Sequence, residues 1–369
     1  SQKKLKKSNI RFSSNFRDMK NSEIYIITTP TPITASKNPD LKFIFKALGF
    51  IAKLGIRNKF IILESTVYPG ASENKFIKFL EKYSGLLVNK DFFYGYSPER
   101  INPGDKIHTF NNISKIVSGS DKKTCEIIYQ LYKKVVQKVY KASTILSAEA
   151  SKLIENSQRD LNVAFVNEIS IICNKLNIQS SETLNLASTK WNFLNFSPGL
   201  VGGHCIGVDP YYLTYKSKSV GYNPKVILSG RAINDNMSKI VFNSLFDFLK
   251  TNKLSKRKSK VLILGATFKE DCGDTRNSQV FKILDLLNKN KVQFDVYDPW
   301  VNESHIFKDN FIKKLEKINY YNAVIITVGH KQFIKMGYKK INKFLKKNSL
   351  FFDIKNIFKV KNNKFYKTL

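Results

Sequence analysis

The chain has 369 residues, 42% of them hydrophobic, and carries 62 Lys and Arg against 29 Asp and Glu, a formal net charge of +33. That length suits two or three domains with cores of their own, and no apolar run reaches the roughly 18 residues that a bilayer span needs, so no membrane association is expected. The positive excess is mostly lysine spread along the chain, which reads as solvated surface and not as a nucleic-acid patch, although a field of this sign attracts anionic substrates. Four scattered cysteines, Cys125, Cys173, Cys205 and Cys272, lack C-x-x-C spacing. They suggest neither a metal site nor a disulfide framework, and fit a reducing cytoplasm.

Residues 1–9 read as a lysine-rich, poorly structured start, and Arg11–Ser14 as a short strand. Ile24–Thr28 is an apolar, β-branched run that ends in Thr29-Pro30-Thr31-Pro32, a buried parallel strand passing into a proline-stiffened turn. Ligands of open α/β sheets sit outside the carboxyl ends of strands, which makes Thr29 a candidate contact. Leu41–Leu54 has helical spacing. Phe60–Leu63 is the next strand, followed by Glu64-Ser65-Thr66-Val67-Tyr68-Pro69-Gly70. Hydroxyls and a glycine at a strand-to-helix junction suit phosphate or ribose, or else simply cap the helix. Phe92–Tyr96 is a strand leading into Ser97-Pro98-Glu99-Arg100 and on to Gly104, and Lys115–Gly119 is another. The alternation of strands and helices predicts a parallel sheet. No G-x-G-x-x-G occurs in the chain.

From Ala148 to about Leu176 the pattern becomes one long helix, with apolar residues near a 3.6 period. Lys152 and Asn156 are spaced i,i+4 and project from one face. Helix continues over Ser180–Ser188, and Lys190–Phe196 leads into Pro198–Leu213. There Gly199, Gly202, Gly203 and Gly207 crowd around Cys205, with Asp209 four residues on. Glycines let backbone amides and a ligand come close to a reactive atom. One reading is a nucleophilic thiol with an acid nearby to handle protons or water; the other is a buried structural cysteine in a tight loop. Pro210 keeps the segment from opening as a helix interior. A long helix from Pro224 to Lys250 and a basic linker, Thr251–Lys260, precede a second α/β run. Its strands are expected at Lys260–Leu264, Val292–Tyr297, Ala323–Val328 and Leu350–Ile354, with a long loop at Gly265–Ser278 and a helix at Val280–Leu287.

Three stretches in order, Glu149–Asn156, Gly202–Leu213 and Phe268–Arg276, resemble the UDP-glucose/GDP-mannose dehydrogenase family, and the likeness covers nearly the whole chain from about Ile10. It is closest to the branch that oxidises UDP-N-acetyl-hexosamines: Val208 stands where the UDP-glucose branch usually has Lys, and His204 and Pro210-Tyr211-Tyr212 suit that branch. The resemblance implies an α/β fold of two Rossmann-like parallel-sheet domains joined by a long-helix central domain. Residues 1–142 would bind NAD, 143–250 form the helical dimerisation domain with the nucleophile loop, and 251–369 bind the UDP-sugar. Because the family opens with a G-x-G-x-x-G turn, the first domain is expected to be incomplete, without its first βαβ unit, the chain being N-terminally truncated.

The resemblance also implies site roles. Cys205 is the nucleophile, Lys152 and Asn156 serve the reacting carbon and its oxyanion or water, and Asp209 and Glu99 are both candidates for the hydrolytic base. Thr29, Thr66, Glu99 and Arg276 face the cofactor. Lys152, Asn156, Lys190, Gly202, Arg231 and Lys269 face the substrate, Lys190 lying near the place of an arginine that the family takes from a partner subunit and Arg231 being the alternative guanidinium. The implied reaction takes a C6 alcohol to a carboxylate by two hydride transfers to NAD, through a thiohemiacetal and a thioester on Cys205, for surface polysaccharide synthesis in a homodimer. Gluco and galacto substrates are not distinguished. GDP-mannose or UDP-glucose oxidation, and a non-catalytic nucleotide-sugar-binding remnant, are the alternatives.

Overall fold

The computed structural model describes residues 9–102, 105, 107–301, 307–360 and 363–369. All but Asn9 of the expected loose start lies outside the described residues, as do Pro103 and Gly104 of the loop after Tyr96. The chain divides into two units, one of Ser1–Leu153 with Tyr211–Lys216, the other of Ile154–Pro210 with Ser217–Leu369.

In the first unit, β1 (Ile24–Ile27), β2 (Phe60–Leu63), β3 (Phe93–Tyr96), β4 (Lys115–Gly119) and β5 (Val139–Lys141) form one sheet in the order β1-β2-β3-β4-β5. β1 pairs with β2 in parallel from Ile24↔Phe60 to Ile27↔Leu63, and β2 with β3 likewise. β3 and β4 are antiparallel, with Gly95 opposite Gly119, so this sheet is mixed where a parallel one was expected. No strand forms at Arg11–Ser14: these residues are exposed, with no buried face to hold a strand, and Arg11 instead pairs with Asp18 at 3.1 Å.

Helix α1 (Lys42–Leu54) buries Ile44, Leu48 and Ile51, one stripe at i, i+4 and i+7. A π-helical turn at Ser72–Ile77 runs into α2 (Lys78–Ser84). Helix α3 (Lys122–Lys133) is capped by Asp121, whose carboxylate accepts the Thr124 N–H at 2.6 Å. Its Ile128 and Tyr132 pack on Ile62 and Val117.

The second unit holds β6 (Lys260–Leu264), β7 (Gln293–Tyr297), β8 (Tyr321–Ile326), β9 (Leu345–Asp353) and β10 (Tyr366–Lys367), all parallel, in the order β10-β9-β8-β6-β7. Every residue of β8 is buried, as in a strand covered on both faces, and its one polar member, Asn322, accepts the Lys260 N–H at 3.0 Å. Helix α4 runs from Ile145 to Lys175, three residues earlier than its periodicity predicts, and α5 covers Ser180–Ala187. Helix α6 (Asp209–Ser219) opens at Asp209 with Pro210 in its first turn, where the missing N–H costs nothing. α7 (Lys225–Thr251) and α8 (Val280–Lys289) follow. α8 sets Val280, Ile283, Leu284 and Leu287 against Met237, Val241 and Leu245 of α7 and against the β6 and β8 side chains. Each such side chain contributes about 1.5–3 kcal/mol by leaving water. Among the described residues no helix is long and apolar enough to cross a membrane.

Candidate active site

The loop that carries Cys205 is held at its entry by a buried polar network. Asn167, on α4, receives the Gly199 N–H at 2.8 Å and donates to the Gly199 carbonyl at 3.1 Å. The same amide donates to Asn234 Oδ1 at 2.8 Å, and Asn234 donates to the Asp160 carbonyl and carboxylate at 2.9 and 2.8 Å. Arg231 completes the network, donating to Asp160 and Asp235 at 2.6 Å each. Arg231 is only 2% exposed, its guanidinium engaged with these two carboxylates. Asp160 and Asn167 are polar residues seven apart on the buried stripe of α4. That spacing was the available signal for the clamp, and sequence reasoning missed it.

Beyond the clamp, Gly203 has φ +86°, and a Cβ there would lie 2.8 Å from the Phe268 ring. A Cβ on Gly202 would meet the Asn277 carbonyl at 2.8 Å. Asn277 in turn donates to the Gly203 carbonyl at 3.3 Å. The glycines therefore serve close approach of two backbone segments, Gly199–Gly207 and Gly265–Ser278. Cys205 follows, exposed and not in a disulfide. Its carbonyl accepts the N–H groups of Val208 and Asp209 at 3.1 and 2.9 Å, which turns the chain into α6. Asp209 is 3% exposed in the first turn of that helix, where the dipole favours its charge. Its Oδ2 accepts the Asn156 side-chain N–H at 2.6 Å, and Asn156 is equally buried. The fold thus joins Asn156 and Asp209.

The Gly265–Ser278 loop carries the expected cations. Arg276 forks onto Asp274, from Nε at 3.0 and 3.2 Å and from a terminal nitrogen at 2.8 Å, with its side chain largely exposed. This guanidinium holds the Asp274 carboxyl below the ordinary range. His204 Nδ1 lies 3.9 Å from Asp274, and burial with the nearby Arg276 charge lowers the imidazole pKa. Lys269 is half-buried and lines a cavity of about 100 Å³ with Gly202, Phe268, Ser278 and Lys355. Lys355, absent from the sequence reading, thus shares the cavity of Lys269. Lys190 is exposed, in a turn just beyond α5.

In the first unit, Thr29 and Thr66 lie at the carboxyl ends of β1 and β2. Ser65 Oγ donates to the Thr29 carbonyl at 2.6 Å, and Thr29 Oγ1 is buried with no hydrogen-bond partner among the described residues. A buried orphan hydroxyl at this edge fits a dinucleotide's polar groups. Glu99 Oε1 accepts the N–H groups of Arg100 and Ile101 at 2.7 and 2.5 Å, an anchored carboxylate beside the same edge. Next to it Glu64 forms an ion pair with Lys115 at 2.9 Å and accepts from the Tyr132 hydroxyl at 2.5 Å. Lys152, on α4, is 5% exposed.

Three family descriptions match the chain in order. The UDP-glucose/GDP-mannose dehydrogenase family NAD binding domain matches residues 1–142, its central domain 146–236, and its UDP binding domain 262–360. The first match begins at residue 1, so it gives the expected loss of a first βαβ unit no support. The chain is 45% identical over 351 residues to a UDP-N-acetyl-D-glucosamine 6-dehydrogenase of Salmonella typhi, covering 94% of this chain and 83% of that protein. It is 46% identical over 357 residues to Protein CapL of Staphylococcus aureus, covering 96% and 84%. Among solved structures, a UDP-D-ManNAc dehydrogenase from Pyrococcus horikoshii superposes with a TM-score of 0.90 at 28% identity, covering 100% of this chain and 85% of that one.

Proposed function

The chain belongs to the UDP-glucose/GDP-mannose dehydrogenase family, and we propose that it oxidises the C6 alcohol of a UDP-N-acetyl-hexosamine, UDP-N-acetylglucosamine foremost, to the carboxylate with NAD. The observation that carries this reading is the exposed Cys205 thiol on a loop whose next turn buries Asp209 against Asn156. The 45% identity to a UDP-N-acetyl-D-glucosamine 6-dehydrogenase supports the choice of sugar.

NAD, when bound, would supply the hydride acceptor for both oxidations, and Thr29, Thr66 and Glu99 are the residues of the first unit that would hold it. Lys269 and Lys355 supply positive charge for the substrate diphosphate, and the net charge of the chain adds to the attraction. Lys152 is a buried cation suited to stabilising the alkoxide that forms as the alcohol loses its proton. Cys205 as thiolate adds to the aldehyde carbon to form a C–S bond, giving a thiohemiacetal. Oxidation of that adduct leaves a thioester. Asp209, fixed by Asn156, takes a proton from water as the oxygen attacks the thioester carbon; the C–S bond breaks, freeing the carboxylate and the thiolate.

Function as a homodimer is supported by Ile154, Phe165 and Ile172 of α4, which stay exposed at a spacing that places them near one helix face. The four cysteines form no disulfide among the described residues, which fits a reducing cytoplasm. The deciding experiment follows reduced cofactor in the presence of UDP-N-acetylglucosamine. Two reduced cofactors per sugar, abolished by Cys205→Ala while the sugar nucleotide still raises Tm, are expected. Full turnover by Cys205→Ala would overturn the thioester route.

A further inference from the structure

Glu149 lies three residues before Lys152 on α4, and is wholly buried. Its two carboxyl oxygens reach out of the helix to backbone: Oε2 accepts the Gly70 N–H at 2.5 Å and Oε1 the Ser72 N–H at 3.0 Å. Gly70 ends the Glu64–Gly70 segment that carries Thr66, and it has φ +85°, a conformation that other residues adopt only with strain. Ser72 opens the π-helical turn, an irregularity often found at functional sites. The two amides converge on one side chain that residues of ordinary helix surface do not supply.

We propose that Glu149 is a positioning residue for the oxidation: its carboxylate ties the Thr66-bearing segment to the helix turn that bears Lys152, and so fixes the oxyanion-stabilising lysine relative to the cofactor edge of the sheet. This rests on the functional reading above. The tie has a protonation state. Burial, together with the nearby Glu73, pushes the Glu149 pKa up, while the bonds from Gly70 and Ser72 hold it down, and the balance stands at about 7. The groups around it are Tyr68 and Tyr94, Ser72 and Glu73 on the π-helical turn, and Lys216 beside Gly70. Tyr94 reaches it through Ser72, whose Oγ stands 3.3 Å from the Tyr94 hydroxyl. The ionised carboxylate has an oxygen for each N–H donor.

The test uses Glu149→Gln and Glu149→Asp in the full-length protein. First, amide exchange at Gly70 and Ser72 is measured without ligands at about pH 8 and about pH 6. Wild type is expected to protect both amides, and more so at the lower pH, because the closed state holds the carboxyl proton more tightly than an opened, solvated one; Glu149→Gln is expected to be less protected at both, without that pH trend. Second, Glu149→Gln is expected to lower kcat about tenfold or more with KM for both substrates nearly unchanged and its Tm retained, and Glu149→Asp to recover part of the loss. Unchanged protection in Glu149→Gln, or lost protection with wild-type kcat, overturns the proposal. An inactive wild type would instead overturn the functional reading, and the exchange comparison would still decide whether the tie exists.

Discussion

Asn156 and Asp209 stand 53 positions apart in sequence and 2.6 Å apart in the fold. Such a pair fixes a carboxylate's direction without neutralising its charge, as a base for hydrolysis requires. Asp209→Asn keeps the shape and removes the basic oxygen. It is expected to complete the two oxidations once, then stall, with hydrolysis slowed about 10²-fold or more. Mass spectrometry should then find a sugar acyl adduct on Cys205; steady turnover at the wild-type rate would exclude Asp209 as the base. Glu149 makes a second residue-scale prediction, on stability. Its folded pKa, about 7, lies above the 4.5 of an ordinary glutamate. Between those values the folded state binds the extra proton, so stability is present at low pH and is lost as pH rises through about 7. The loss is on the order of 3 kcal/mol for a group this buried. Subtracting the Glu149→Gln stability curve from the wild-type curve, by calorimetry between about pH 5 and about pH 8, should isolate a falling difference; a flat one would mean that burial costs the carboxylate nothing.

Elements matter through the approach of two loops. The Gly199–Gly207 segment is braced from behind by Asn167 and meets Phe268 and Asn277 in front. Gly203→Ala adds a Cβ 2.8 Å from a ring at a positive φ. The strain, about 1–3 kcal/mol, is relieved by parting the loops around the Lys269 cavity, so kcat/KM should fall about tenfold or more with a smaller change in Tm. Gly207→Ala is the control. Its φ is not in the left-handed region and the nearest atom is 3.6 Å from the added Cβ, so its effect on kcat/KM should be much smaller. Equal effects of the two changes would show that loop mobility, and not close packing, is what the glycines provide. The Asn167 clamp also explains how a long, glycine-rich loop keeps one conformation: its first carbonyl and N–H are both spoken for inside the protein.

At the scale of the whole molecule, α4 leaves Ile154, Phe165 and Ile172 uncovered while burying Asp160 and Asn167. The same helix also buries Leu153, Ala164, Val166 and Cys173, so the uncovered side chains form a second apolar face, the one that a second copy would cover in the proposed dimer. Sedimentation equilibrium is expected to give a dimer for the wild type and a monomer for Phe165→Asp; a wild-type monomer at micromolar concentration would remove the dimer.

How far the chain could be read from its residues differs by scale for physical reasons. Periodicity and turn chemistry act over a few residues, so Phe60–Leu63, Lys115–Gly119 and Lys260–Leu264 were found with their ends in place. The motifs around Lys152, Cys205 and Lys269 led to the family because their order along the chain survives without any knowledge of packing. Those features the sequence determined by itself. Only the tertiary structure decided that β4 runs antiparallel to β3, that Arg231 is spent on Asp160 and Asp235, that Lys355 joins Lys269, that Asn167 clamps the nucleophile loop, and that Glu149 takes the amides of Gly70 and Ser72. Each depends on which distant group a side chain meets, and a one-dimensional pattern specifies which face of an element is buried but not the partner waiting there.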